Sequence, residues 1–262
     1  MKIRFYKYHG TGNDFLILDN RKLRWKPGTA LIANLCDRHF GIGADGMLIL
    51  SSKKGYDFAM TYYNSDGKES TMCGNGGRCM VAFAAKLGII AGKARFHAID
   101  GDHDAFIIRK NRNDVIVRLK MKDVTVQEAD GHHFFLDTGS PHYVVFVKDV
   151  TTVDVVPSAR KIRNNPRFEK EGTNVDFVQL TGKGLSVRTY ERGVENETLS
   201  CGTGITAAAL AAAMKKPKND GKFNVRMKGG KLSVSFKQTG NRFTGIWLEG
   251  PATFVFEGEI NI

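Results

Sequence analysis

CGNGGRCMVAFAA (Cys73–Ala85) and CGTGITAAALAAA (Cys201–Ala213) are two versions of one pattern. In each, a cysteine precedes a Gly-X-Gly turn, and the turn feeds an alanine-rich apolar run. Glycine frees the backbone there, and the Ala, Leu and Met that follow are helix formers. Each stretch therefore reads as a cysteine at the start of a buried helix. The first turn of a helix carries unpaired N–H groups and a partial positive charge. Both favour a thiolate. The effect lowers a thiol pKa by about one unit. The same N–H groups can hold a carboxylate.

Working outward, the two halves of the chain repeat in order. Thr11-Gly12 recurs as Thr138-Gly139, Tyr63 as Tyr190 and Cys73 as Cys201, at offsets of 127, 127 and 128 residues. Internal duplication is the economical explanation, with halves at 1–122 and 123–262 and with the last strand, 252–262, as a candidate to complete the first. Strands are expected at Ile3–Tyr8, Phe15–Leu18, Met47–Leu50 and Asp57–Tyr63 before the first helix, and at Arg95–Ile99, Ala105–Ile108 and Val115–Leu119 after it. The second half gives Phe134–Leu136, Tyr143–Val147, Asn174–Leu180 and Leu185–Tyr190. Then come Phe223–Met227, Leu232–Phe236, Phe243–Leu248 and Thr253–Phe256. Thr29–Arg38 has helical spacing, and Pro157 suits the first position of another helix that stops before Pro166. The fold class expected is α+β: two pseudo-symmetric halves, each a curved, mostly antiparallel, barrel-like sheet wrapped around a central helix. Such a duplication would set the two cysteine turns facing across one cleft.

The totals narrow the function classes. The chain has 262 residues, 42% hydrophobic and 25% charged, ordinary values for a globular protein. The longest apolar run, 207–214, is too short to span a bilayer, so no membrane association is expected. The first residues, MKIRFYKYHG, hold no apolar signal region. Four cysteines without a C-x-x-C pair do not make a disulfide framework, which points to a reducing cytoplasm. The net charge of +12 is spread over short separate clusters. These are Arg21-Lys22, Arg160-Lys161-Ile162-Arg163 and Lys215-Lys216-Pro217-Lys218. With no stacking motif among them, the charge reads as a solvated surface and not as a nucleic-acid site. His97, Asp100, Asp102, His103 and Asp104 read as a polar hairpin, because their spacing meets no zinc or calcium pattern; no metal is expected. Cys36 and Cys79 read as packing.

Two opposed thiols suit one chemistry well. A thiolate removes a proton from an α-carbon and a thiol delivers one to the other face, which inverts the centre. Backbone N–H groups at the helix starts stabilise the charge that builds on the carboxylate. No cofactor is called for. A thiol redox pair remains an alternative.

HGTGNDF (from His9), NSDGKEST-MCGNGGRC (from Asn64), TNVDFVQ (from Thr173), YERGVENETLSCGTG (from Tyr190) and GPATFVFEGEI (from Gly250) resemble the diaminopimelate epimerase family along nearly the whole chain. The resemblance implies a cofactor-independent homodimeric enzyme of lysine and cell-wall precursor biosynthesis. It would interconvert LL- and meso-diaminopimelate with Cys73 and Cys201 as proton carriers. By the same resemblance, Asn13, Asn64 and Asn174 contact the substrate's amino and carboxylate groups. Gly74-Asn75 and Gly202-Thr203 hold the reacting carboxylate, Glu191 and Arg192 bind substrate and assist catalysis, and His142 lies near the reacting amino group. Two positions depart from the pattern: Gly46 stands where the family often has Gln, and Ser140 where it often has Asn. They keep open a substrate change within the fold, as in proline racemase-like or PhzF-like relatives.

Overall fold

The computed structural model describes residues 2–215 and 220–262, in two compact units. Unit 1 is residues 1–119 with 250–262, and unit 2 is residues 120–249.

In unit 1, β1 (Lys2–Gly10) and β2 (Asn13–Asp19) form a hairpin. α1 (Thr29–Cys36) carries the chain to β3 (Gly46–Ser51), which lies parallel to β2. β4 (Phe58–Asn64) returns antiparallel, followed by the short β5 (Glu69–Ser70). α2 (Gly74–Lys86) then crosses to β6 (Lys93–Ala98), parallel to β4. β7 (Gly101–Asn111) and β8 (Asp114–Lys120) continue antiparallel. The last strand of the chain pairs with β8 at Gly250–Thr253 and with β1 from Thr253 to Asn261, so the ring of strands closes.

α2 is buried from Gly74 through Ala84, on every side. A helix of glycine, alanine and a few large residues can be enclosed this way, because small side chains let strands approach. The apolar run of β2 is buried throughout. Its Leu16 and Leu18 pack with Ile32, Leu35 and Cys36 of α1, and with Ile3, Phe5, Met47 and Ile49. A strand covered on both faces reads as continuous hydrophobic sequence rather than as alternation.

Unit 2 has the same order of elements. After two-residue strands β9 (Val124–Thr125) and β10 (Glu128–Ala129) come β11 (His133–Asp137) and β12 (Pro141–Phe146), an antiparallel pair. α3 (Val155–Arg163) leads to β13 (Asn174–Thr181), parallel to β12. β14 (Gly184–Glu191), β15 (Asn196–Thr198) and α4 (Gly202–Lys215) follow. β16 (Asp220–Met227) lies parallel to β14, and β17 (Gly230–Thr239) leads into β18 (Arg242–Asn261). α4 is buried from Gly202 to Ala213 except at Thr203, which is half-buried. α3 packs Val155 and Ala159 on Val175, Phe177 and Tyr190.

Three local expectations differ from the structure. Pro157 is the third residue of α3, not the first; first-turn N–H groups have no partner inside the helix, so proline is tolerated there too. The first helix stops at Cys36, capped by the Asp37 amide on Ala33 and Asn34 carbonyls, before reaching Arg38. The two final strands are one, β18, running through Gly250-Pro251. The ladder to β17 ends at Glu249 and that to β1 begins at Thr253, so Pro251 breaks no bond on that edge. Among the described residues no helix is long and apolar enough to cross a membrane. Lys216, Pro217 and Lys218 of the third basic cluster lie outside the described residues.

Candidate active site

In unit 1, Cys73 is the N-cap residue of α2, with extended φ/ψ of −87° and 130°. Its sulfur donates to Asn13 Oδ1 at 3.6 Å. The same oxygen accepts from Asn75 Nδ2 at 3.2 Å. Asn13 Nδ2 donates to Asp45 Oδ2 at 2.8 Å, so both ends of the Asn13 amide are held. Asp45 in turn accepts from Arg38, which also grips Asp14. Asn75 Oδ1 accepts from Arg78 Nη2 at 2.8 Å. Gly74 and Asn75 are buried at the helix start. Asn64 ends β4 exposed, opposite Gly46 in the ladder.

Gly46 has a packing reason for lacking a side chain. A Cβ there would lie 2.5 Å from the Tyr63 carbonyl oxygen and 2.7 Å from the Tyr62 ring, with the Tyr62 hydroxyl 3.3 Å away. Tyr62 fills the space into which a longer residue at 46 would project.

In unit 2, Cys201 precedes α4 and is buried. Its sulfur accepts the Gly204 N–H at 3.4 Å and lies 3.3 Å from Thr203 Oγ1. Thr203 Oγ1 is 2.9 Å from His142 Nε2. His142 Nδ1 is 2.7 Å from Asp176 Oδ2, and Thr189 donates to the other Asp176 oxygen at 2.6 Å. A carboxylate accepts, so Nδ1 carries the proton and Nε2 is left to accept from the Thr203 hydroxyl. His142 and Asp176 are fully buried. The result is a continuous run Cys201–Thr203–His142–Asp176–Thr189.

Asn174 spends its amide inside the protein. Nδ2 donates to Ser140 Oγ at 2.8 Å and to the Pro141 carbonyl at 3.1 Å, and Oδ1 accepts the Arg192 N–H at 2.8 Å. Ser140 thus supplies one acceptor. The Arg192 guanidinium is exposed and donates to the Glu171 carbonyl. Glu191 accepts from the Thr198 hydroxyl. Burial raises its carboxyl above the ordinary range, against the lowering pull of Thr198.

One sequence expectation is overturned here. The Cys201 thiol is not lowered; it is pushed well above the ordinary thiol value. Burial is the largest cause, and the negative charges of Glu191 and Asp176 add to it. The helix start does act as expected, through the Gly204 N–H, but it is outweighed. Cys36 and Cys79 are buried, and desolvation raises both, Cys36 to about 11.

Asp176, Thr189, Asp45 and Arg78 are the residues the sequence reading missed. A carboxylate inside the apolar strand TNVDFVQ and a guanidinium inside a buried helix were the signals available, since buried charges need partners.

The diaminopimelate epimerase family model matches residues 5–126 and 134–255. The chain belongs to the diaminopimelate epimerase family. It is 52% identical over 260 residues to the diaminopimelate epimerase of Flavobacterium psychrophilum, covering 98% of this chain and 100% of that one. It is 37% identical over 277 residues to that of Aquifex aeolicus, covering 99% and 98%. Among solved structures, a Bacillus anthracis phenazine biosynthesis protein of the PhzF family matches with TM-score 0.77 at 15% identity, over the whole of both chains. A probable proline racemase from Agrobacterium radiobacter matches with TM-score 0.73 at 14% identity, over 99% of this chain and 93% of the other. These two show a shared fold. Family membership makes the chain an isomerase acting on an amino acid.

Proposed function

We propose that the enzyme interconverts LL- and meso-diaminopimelate by two-base proton transfer, with Cys73 and Cys201 working on opposite faces of one α-carbon. The observation that carries this reading is that each unit sets one cysteine at the start of a buried helix, at the same point in the same order of elements. The thiolate form of one cysteine takes the α-proton. The electron pair left behind delocalises onto the substrate carboxylate, whose oxygens the amides of Gly74-Asn75 and Gly202-Thr203 suit as donors. The thiol of the other cysteine gives a proton to the opposite face. The cysteines thereby exchange protonation states, and the reverse reaction restores them.

Unit 2 supports a proton-holding role for Cys201. A thiol raised by burial and flanked by Glu191 and Asp176 stays protonated at neutral pH, as a donor must. His142, joined to Cys201 through Thr203, can take up or return that proton. Arg192 and Glu191 suit the carboxylate and ammonium groups of the substrate. Asn13, Asn64 and Asn174 are assigned as polar contacts, with Asn13 and Asn174 exchanging hydrogen bonds made within the protein for bonds to the substrate. The scheme needs no cofactor. A homodimer, a cytoplasmic location and a place in lysine and cell-wall precursor synthesis complete the proposal.

The deciding experiment uses LL-diaminopimelate in deuterated water. Meso product with deuterium at one α-carbon is expected, and Cys73→Ala and Cys201→Ala should each lose at least about 100-fold in rate, the usual span for general acid–base groups. Full activity in Cys73→Ala would refute the scheme. Gly46 motivates one alternative, a changed substrate, and turnover of proline without turnover of diaminopimelate would favour it.

A further inference from the structure

Arg78 is the largest fully buried side chain among the described residues. Its guanidinium makes four hydrogen bonds, all to neutral acceptors of unit 1. Nη2 donates to Asn75 Oδ1 at 2.8 Å and to Thr11 Oγ1 at 3.4 Å. Nη1 donates to the Gly74 carbonyl at 3.2 Å, and Nε to the Pro251 carbonyl at 3.3 Å. Among the described residues no carboxylate pairs with it. A buried cation without a counter-charge is costly. Packing alone asks for nothing of the kind, because the corresponding position in unit 2 is Thr206, whose hydroxyl simply bonds to the Gly202 carbonyl.

What the four bonds hold together is the Cys73 turn. Thr11 sits at φ 53°, a conformation rarely adopted by a β-branched residue, and Arg78 ties its hydroxyl. Gly74 and Asn75 are the first two residues of α2. Asn75, its carbonyl end fixed by Arg78, presents its amide to Asn13, whose oxygen meets the Cys73 sulfur. Pro251 belongs to the stretch of β18 that bonds neither β17 nor β1.

We propose that Arg78 is the positioning residue of the Cys73 turn: it fixes the Asn75–Asn13 pair against the sulfur and sets a buried positive charge at the two residues that follow Cys73. The proposal rests on the reading of Cys73 as a proton carrier. The hydrogen bonds tie the cation to that cysteine, because Gly74 and Asn75, which Arg78 grips, are the two residues that follow Cys73. The cation also gives the two units different characters. Cys73 caps a helix whose first turn is held by a buried cation, whereas Cys201 feels the negative charges of Glu191 and Asp176.

Other charged or titratable groups face this turn. Asp45 reaches it through Asn13. Asp100, paired with His103, accepts the Met72 N–H next to Cys73. Cys79 on α2 and Tyr8 on β1 are both held protonated by burial. None of these is bonded to Arg78.

The test needs no substrate, so its failure is distinct from failure of the proposed reaction. The full chain is alkylated with iodoacetamide over a pH series, and modification of Cys73 is read by peptide mass spectrometry. Arg78→Gln should move the midpoint for Cys73 upward by about one pH unit or more, the scale of losing a nearby opposite charge. Arg78→Lys, which keeps the charge, should restore most of that shift even where activity stays low. Midpoints unmoved in both variants, with only thermal stability reduced, would overturn the proposal and leave Arg78 a structural tie. Should Arg78→Gln not fold, the wild-type background answers: Cys73→Asp should unfold at a higher temperature than Cys73→Asn above pH 6, because a fixed anion pairs with the guanidinium. An equal or lower melting temperature for Cys73→Asp would overturn it.

Discussion

A methyl group added at Gly46 would meet the Tyr63 carbonyl at 2.5 Å, closer than real Cβ contacts come, and that oxygen belongs to the paired backbone of β4. No rotamer change can relieve such a contact; the β3–β4 pairing has to shift. Asp45 immediately precedes this point, and Asp45 holds Asn13. A side chain at 46 therefore disturbs the sulfur of Cys73 through two hydrogen bonds. Gly46→Ala is expected to cost about 1–3 kcal/mol by overpacking and Gly46→Gln at least as much, each lowering the urea midpoint. Because Asn13 moves, each should also slow turnover more than stability explains. A Gln variant with the wild-type midpoint and rate would show that Tyr62 and Tyr63 yield freely.

The helix starts carry the same lesson one level up. At α4, Gly204 gives its N–H to the Cys201 sulfur. A Cβ on Gly204 would lie 2.5 Å from Asp176 Oδ1 and 3.2 Å from the His142 ring. The glycine is thus the contact face between α4 and strands β12 and β13. Gly204→Ala must push the helix away from the His142–Asp176 pair. Helix propensity gains at most about 1 kcal/mol from Gly to Ala, so the clash decides. A net loss of roughly 1–3 kcal/mol and a marked fall in kcat are expected, whereas Ala208→Ser, deeper in α4, should affect stability alone. Stability raised by Gly204→Ala in chemical unfolding would contradict this packing. The existence of α2 and α4, their cysteines and the duplicated order were readable because Gly-X-Gly turns and alanine-rich runs are local signals. The parallel pairings β2–β3 and β12–β13, and the fusion of the last two strands, were not, because pairing partners lie far apart in sequence. The sign of the Cys201 shift was illegible for the same reason: Asp176 and Glu191 come from other strands, and local reasoning saw only the helix start.

At the scale of the whole molecule, pH should act from both sides. On the acid side, burial alone would raise Asp14, yet Arg38 and Lys7 hold it at about 2. A depressed carboxyl stabilises the fold above its unfolded value near 4 and loses that contribution as the pH falls toward 2. On the alkaline side, Cys36, Cys79 and Cys201 are all raised in the folded chain. Unfolded thiols ionise near pH 8.5. Below that value the folded and unfolded chains hold the same thiol protons, and the stabilisation is fully present. Above it the unfolded chain releases protons that the folded chain keeps, so stability falls as pH rises through the folded values. Each such thiol contributes a slope of about 1.4 kcal/mol per pH unit, so three together make about 4 kcal/mol per unit once the unfolded thiols are fully ionised. Urea unfolding under reducing conditions between pH 7 and pH 10.5 measures this. Cys36→Ala should reduce the slope by about one third up to pH 11, where its own folded-state thiol begins to ionise, while lowering stability at pH 7 through the lost packing. A stability flat from pH 8 to 10.5, or a slope untouched by the substitution, would mean that these thiols share their unfolded ionisation and that the barrel interiors are open to water.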